Sequence, residues 1–81
     1  MLTGSEKIRV TTKSEYILEN ADEVEFELSD TRLAKISLID GNRCVVVAND
    51  NNKLGVVELA ATYNGITYTK QIQIVSLWQV I

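Results

Sequence analysis

The sequence predicts an all-β protein, a β-sandwich of about seven antiparallel strands, and three observations lead to that class. β-branched and aromatic residues fall in short runs that Asn, Asp, Gly and Ser residues separate. Several of these runs alternate apolar and polar side chains, which is the period of a strand with one buried face. The chain of 81 residues also lacks proline and any strongly amphipathic helical pattern. A small barrel is the alternative architecture.

The length and the charge set limits on the organisation and the partners of the chain. A chain of 81 residues is enough for one small domain, so residues 1–81 are expected to fold as a single unit. The chain stops on apolar Val80 and Ile81, which predicts that it is a segment of a longer protein or that its end docks on a partner. Its formal net charge is −3 and its basic residues are scattered, so nucleic acid is not an expected partner. Since no apolar run approaches the roughly 18 residues of a membrane span, membrane insertion is not expected.

Two short elements are predicted in the first quarter of the chain. The run "KIRVTT" predicts a strand with Ile8 and Val10 on one face and Arg9 on the other. The contiguous apolar residues 16–18, "YIL", fit either a short strand or a turn of helix. Residues 20–22, "NAD", are typical of a turn.

The middle of the chain predicts three further strands and a hairpin. In "EVEFELS" and "LAKISLI" apolar residues alternate with polar ones, so each strand is expected to bury one face. Asp40-Gly41 is a two-residue hairpin signal between "LAKISLI" and the returning strand "NRCVVVAN". That strand is apolar on both faces from Cys44 to Ala48, which predicts that it is covered on both sides. The polar run "NDNNK" then predicts a loop.

The last part of the chain, "VELAATYNGITYTKQIQIV", predicts a second hairpin. Asn64 and Gly65 both tolerate the positive φ that a type I′ turn requires, so the runs on either side are expected to pair antiparallel. Lys70 interrupts the apolar face of the second arm, which predicts a bulge or an exposed end near it. The predicted core of the sandwich comprises Val24, Phe26, Leu28, Ile36, Leu38, Cys44, Val46, Val57, Leu59, Ala61, Tyr68, Ile72 and Ile74.

Residues 23–75 resemble the bacterial immunoglobulin-like modules of the Big2 type. The segment "SDTRLAKISLIDGNRCVVVAN" occupies the place of the family's Ser/Asn-rich step, its "VATV"-like strand, its Gly hairpin and its "VTA"-like strand. The segments "LGVVELAATYNG" and "TYTKQIQIV" follow in the places of its "GTATITAT" segment and its final "YTVTV"-like strand. The tryptophan of the family's "WSSS"-like step is absent, and "FELSD" stands in its place. The resemblance implies an immunoglobulin-like β-sandwich. It also implies a module of a bacterial surface protein or of a tailed-phage virion, outside the cell or on the particle.

The residues that enzymes and metal sites commonly use are largely missing. There is no histidine, which excludes a Ser-His-Asp or Cys-His arrangement, and the four glycines are isolated, so no phosphate-binding loop is recognisable. Cys44 lies in an apolar run and is expected to be a buried structural residue. We therefore expect no enzymatic activity, no catalytic residue, no cofactor and no metal site.

Two polar clusters have both a structural and a functional interpretation. Glu23, Glu25 and Glu27 share one strand face; such a row can serve acid–base chemistry or calcium binding, but it is more often a solvated face that discourages strand pairing. Residues 49–52, "NDNN", offer oxygen donors without the spaced acids of an EF-hand loop, so they are expected to form a polar loop. A calcium site shared with another loop is the alternative.

Three aromatic residues are the candidate contacts for a protein partner or a glycan. Trp78 follows the last predicted strand, where it either packs over the end of the sandwich or a neighbouring module, or forms an exposed platform for a sugar ring. Tyr63 and Tyr68 flank the Asn-Gly turn and either extend such a surface or form a cross-strand pair that stabilises the hairpin.

The sequence therefore predicts a non-enzymatic structural or adhesive module, whose partners are neighbouring domains or a protein or glycan surface. A carbohydrate-binding module is the first alternative, since it would use Trp78 or the two tyrosines. An inert accessory domain of a larger secreted enzyme is the second alternative.

Overall fold

A computed structural model, which describes residues 1–78, confirms the β-sandwich: two four-stranded sheets pack around one apolar core. None of the described residues forms a helix that is long and apolar enough to cross a membrane. The expectation based on Val80 and Ile81 lies outside the described residues. The strands are β1 (Leu2–Thr3), β2 (Lys7–Arg9), β3 (Lys13–Leu18), β4 (Glu25–Leu28), β5 (Ala34–Asp40), β6 (Arg43–Ala48), β7 (Gly55–Tyr63) and β8 (Ile66–Val75).

The strand order shows how the chain alternates between the two sheets. The first sheet has the order β1-β3-β6-β5 and the second has the order β2-β8-β7-β4. The described pairings are antiparallel except that of β2 with β8, which is parallel. The prediction of about seven antiparallel strands is confirmed in class, and residues 1–78 form eight strands, of which β2 and β8 pair in parallel. The difference arises near the N-terminus, where the chain leaves the first sheet after Thr3 and joins the second at Lys7.

Most of the residues predicted to form the core are buried, and further residues join them, mainly from the first half of the chain. Leu59 and Ile72 are completely buried, and no polar or charged residue among residues 1–78 is buried. Tyr16 is also completely buried, and it lies in a strand rather than in a turn of helix. Ile36 and Tyr68 are only partly buried and pack against the core. Further core residues outside the predicted set are Leu2, Ile8, Val10, Leu18, Ala34, Ala48 and Val75.

The prediction that Leu38 is a core residue is wrong, because a β-bulge interrupts β5. Ile36 pairs with Val46, but the next pair is Leu38 with Val45, so Ser37 is an extra residue on this strand. One extra residue moves the following side chains to the other face of the sheet. Leu38 is accordingly 50% exposed.

The turn before β6 lies one residue later than the sequence pattern predicts. Asp40 pairs with Arg43, which makes Gly41 and Asn42 the two turn residues. Gly41 supplies the positive φ, 62°, that a two-residue hairpin turn requires at its first central position.

The prediction that β6 is covered on both sides is corrected by its surroundings. Cys44, Val46 and Ala48 are buried on the face that meets the core, and burial of Cys44 was the expected outcome. Val45 and Val47, on the opposite face, are partly exposed. One face of β6 is therefore buried and the other is only partly covered.

The β7–β8 hairpin has the predicted turn. Asn64 and Gly65 have φ values of 53° and 77°, as a type I′ turn requires, and Tyr63 pairs with Ile66 across the turn. The register continues without a shift past Lys70, so no bulge forms there. The other predicted outcome, an exposed end, is confirmed, since Ile66 is 55% exposed.

Candidate functional site

The residues with functional potential lie at the two ends of the sandwich and along one edge. The hairpin end carries Met1 and the turns of the β5–β6 and β7–β8 hairpins. The loop end carries Thr11, residues 49–53 and residues 76–78, and the Thr11 N–H donates to the Asn49 carbonyl at 2.9 Å. The molecule measures 38 Å along its longest axis, against 21 and 18 Å across.

The structure places the three candidate aromatic residues at opposite ends. Trp78 follows β8 at the loop end and is 88% exposed. Tyr63 and Tyr68 lie near the hairpin end, partly buried against the core, on one face of the hairpin and diagonal to one another. The extended chain from Tyr68 to the end of β8 spans about 23 Å. The tyrosines therefore form one pair, and Trp78 is a separate exposed ring.

A shallow hollow of ≈270 Å³ lies beside the tyrosine pair at the hairpin end. Its lining includes Tyr63, Tyr68, Ile66 and Met1. The volume is below the ~300–1,000 Å³ of common small-molecule pockets. The hollow is therefore smaller than a common small-molecule pocket, and its lining mixes these residues with the polar Glu19, Asn20 and Asn64.

A larger groove of ≈570 Å³ lies at the loop end. The Arg32 guanidinium on its rim is already paired with Asp30, with Nε 3.2 Å from Oδ1 and Nη2 3.3 Å from Oδ2. This pairing lowers the pKa of the Asp30 carboxyl below its usual range. Among residues 1–78 no buried polar side chain is aimed into the groove. Its charged and polar lining includes Thr31, Arg32, Lys35, Asn49, Asp50 and Lys53.

Asn49 holds the "NDNN" loop in shape. Its side-chain amide donates to the carbonyl oxygens of Leu33 and Lys53 at 2.8 and 2.9 Å, and its oxygen accepts from the N–H groups of Asn51 and Lys53 at 3.0 Å each. Asn52 has a φ of 59°, a left-handed conformation that asparagine tolerates. The side chain of Asn49 is therefore committed to the loop itself. In the described part of the chain, no group of three His, Cys, Asp or Glu side chains is placed to hold a metal ion.

The glutamate row and the cysteine have surroundings that favour structural roles. Glu25 and Glu27 are exposed on β4, which is an edge strand, and Glu23 is exposed just before it. Cys44 is 1% exposed, it faces Tyr16 on the neighbouring strand, and burial raises the pKa of its thiol to about 11. A protonated, inaccessible thiol is unsuited to nucleophilic chemistry at neutral pH.

β2 and β8 form a short parallel ladder between the first and last parts of the chain. β2 pairs with residues 73–75. The Gln73 N–H donates to the Glu6 carbonyl at 2.8 Å, and the Val10 N–H donates to the Val75 carbonyl at 2.9 Å. The first and last described residues lie at opposite ends of the sandwich, so a force that pulls them apart slides β2 along β8.

The remainder of β8 has an unpaired side, which we call the open edge and define as residues 66–71. These residues pair with β7 on one side, and within residues 1–78 no strand pairs with them on the other. Backbone groups alternate in direction along a strand, and the N–H of Gln73 points towards β2. The backbone groups of Thr67, Thr69 and Gln71 therefore point to the same side, where no strand among residues 1–78 pairs with them.

The sequence patterns do not foresee the parallel ladder or the open edge. The one signal in the sequence is that the predicted strand "ITYTKQIQIV" is longer than the predicted strand "KIRVTT". A short strand beside a long one leaves part of the long one uncovered. The patterns do not reveal, however, which strands become neighbours, because that depends on contacts between distant parts of the chain.

Comparison with known proteins identifies no relative: no family model matches the chain, and neither a curated protein nor a solved structure matches it.

Proposed function

We propose that this chain is a non-enzymatic structural module, an immunoglobulin-like domain of the Big2 type in a bacterial surface protein or a tailed-phage virion protein. Residues 23–75 carry the Big2-like segments quoted above. The strand order also supports the proposal, because immunoglobulin sandwiches place strands A, B, E and D in one sheet and C, F and G in the other. With β1 and β2 lettered as the two parts of a split first strand, the present sheets become A-B-E-D and A′-G-F-C.

The observation that carries the proposal is the parallel ladder between β2 and β8. Because the first and last described residues lie at opposite ends of a molecule 38 Å long, neighbouring domains in a longer chain would be held apart by the length of the sandwich. Tension between such neighbours loads the backbone hydrogen bonds of the ladder together, in shear. A module that spaces and presents its neighbours needs this resistance and needs no reactive side chain. The expected location is the cell surface or the virion.

Single-molecule force spectroscopy on a tandem array of this domain tests the load-bearing role. We expect a higher unfolding force when the array is pulled through the chain ends than when it is pulled through handles on Asn20 and Asn64. Both of these residues are exposed at the hairpin end. Pulling through them therefore separates the strands one after another. Equal forces in the two geometries would contradict the proposal.

Two proline variants separate the ladder from general stability in the same experiment. Gln73→Pro removes the N–H that donates to Glu6, whereas Gln71→Pro removes an N–H on the open edge. Both glutamines are exposed. We expect Gln73→Pro to lower the end-to-end unfolding force and Gln71→Pro to leave it close to the wild-type value. Equal losses in the two variants would show that the ladder does not carry the load.

A carbohydrate-binding module is the alternative function, and the 88% exposure of Trp78 is the observation that favours it. Trp78 is the one tryptophan of the chain, so its fluorescence reports on this position alone. If the alternative holds, a soluble polysaccharide shifts the emission to the blue and protects it from quenchers, and Trp78→Ala abolishes binding. An unchanged emission supports the structural module or an inert accessory domain of a larger secreted enzyme.

A further inference from the structure

The open edge differs from the edges formed by β4, β5 and β1, each of which carries a feature that discourages the addition of a strand. β4 presents Glu25 and Glu27, and like charges resist a second copy of the same edge. β5 is interrupted by the bulge at Ser37, and β1 is only two residues long. The open edge has a regular register with β7, contains neither proline nor glycine, and carries one charged residue, Lys70.

We propose that the open edge pairs antiparallel with the open edge of a second copy, which forms a two-fold dimer in which the two second sheets become one continuous sheet. Unpaired N–H and C=O groups along a sheet edge are a template for another strand. When two identical edges run antiparallel, the N–H groups of each can donate to the C=O groups of the other. A two-fold axis, which relates such a pair, is the commonest symmetry of soluble oligomers. The pairing therefore needs no second protein.

The position of β2 sets the register of the proposed dimer. β2 occupies the same side of β8 from the pair of Lys7 with Gln73 onwards, so an added strand must stop before Gln73. The longest ladder that meets this condition places Thr67 opposite the partner's Thr69. In that register the partner's Gly65 lies opposite Gln71, so the tight β7–β8 turn of the partner ends just short of β2.

The side chains are compatible with this register on both faces. On the outer face, Thr67 and Thr69 form cross-strand threonine pairs with the partner, and the Thr67 hydroxyl already lies 3.0 Å from that of Thr62 on β7. On the inner face, Tyr68 lies opposite the partner's Tyr68 at the two-fold axis, where the strands do not exchange hydrogen bonds and side chains approach most closely. Lys70 lies opposite the partner's Ile66, so the two lysines are roughly 13 Å apart along the strands.

Sedimentation equilibrium on the wild-type chain and two variants of Thr69 tests the dimer. Thr69→Pro removes the outward N–H of an exposed edge residue, and proline is tolerated at strand edges. Thr69→Val keeps the backbone donor and the β-branched shape, and it is the matched control. We expect concentration-dependent dimerisation of the wild type, similar dimerisation of Thr69→Val, and at least about tenfold weaker dimerisation of Thr69→Pro.

Amide hydrogen exchange of the wild-type chain gives a second measurement that does not depend on the folding of a variant. The N–H groups of Thr67 and Thr69 should exchange more slowly at high protein concentration than at low concentration, while the N–H of Gln73, which is already bonded, should not change. A wild-type chain that remains monomeric up to about 1 mM overturns the proposal, whatever else binds the edge. Dimerisation that Thr69→Pro leaves intact overturns it as well.

Discussion

Replacement of Gly4 by alanine is expected to lower the free energy of unfolding by about 3 kcal/mol or more. Gly4 has a φ of 150°, and an added Cβ would lie 2.9 Å from the carbonyl oxygen of Glu15 and closer still to the ring of Tyr16. The ring cannot turn away easily, because Tyr16 is completely buried and its hydroxyl donates to the Ser5 carbonyl at 2.6 Å. For a domain of this size the melting temperature falls by roughly 12–24 °C, which thermal unfolding followed by circular dichroism measures.

Gly65→Ala is the matched control for this prediction. Gly65 also has a positive φ, 77°, but nothing lies within 4 Å of a Cβ added there. At this turn alanine adopts a strained backbone conformation but makes no steric clash. The strain costs about 1 kcal/mol. If Gly4→Ala is no more destabilising than Gly65→Ala, the contact with Tyr16 does not restrict the crossing between the sheets.

The protein is also expected to lose roughly 4 kcal/mol of stability as the pH rises from 9 to 12. Burial raises the pKa of Tyr16 to about 12 and the pKa of Cys44 to about 11, from ordinary values of 10.0 and 9.0. The unfolded chain therefore releases these protons at a lower pH than the folded chain does. Below pH 9 the two neutral groups make their full contribution to the free energy of unfolding. That contribution is lost as the pH rises from 9 to 12.

Denaturant unfolding of the wild type and of Tyr16→Phe at increasing pH isolates the tyrosine contribution. Phenylalanine does not ionise, so the decline between pH 10 and 12 should be shallower in the variant, by up to about 1.4 kcal/mol per pH unit. The loss of the hydrogen bond to Ser5 lowers the stability of the variant at every pH, and this offset does not change the slope. A tyrosinate difference spectrum between the two folded proteins with a midpoint near pH 10 would contradict the prediction.

The parts of the fold that the sequence predicts well are those that depend on neighbouring residues. The alternation of Val24, Phe26 and Leu28 with glutamates is the local period of a half-buried strand, and these apolar side chains are buried. Asn64-Gly65 is likewise a local signal, because the two residues themselves supply the backbone angles of the turn. Such features are independent of which strands lie next to one another.

The parts that the sequence predicts poorly depend on distant contacts. Leu38 follows the alternation of its strand, but the bulge at Ser37 is a property of the pairing with β6 and leaves no clear local signal. Tyr16 appears in a contiguous apolar run with no period, although it is among the largest fully buried side chains. The candidate site follows the same division. The aromatic residues are visible in the sequence, while the exposure of Trp78 and the open edge depend on the three-dimensional arrangement.

The pairing of Lys7 with Gln73 joins residues that are almost the whole length of the chain apart. Closing so long a loop carries a larger entropic penalty than forming either hairpin, so this contact is expected to form late in folding and to slow it. During synthesis on the ribosome, β2 cannot pair until β8 has been synthesised and has left the ribosome. Until that strand arrives, the nascent domain would leave part of its interior open to water and to other unfinished chains.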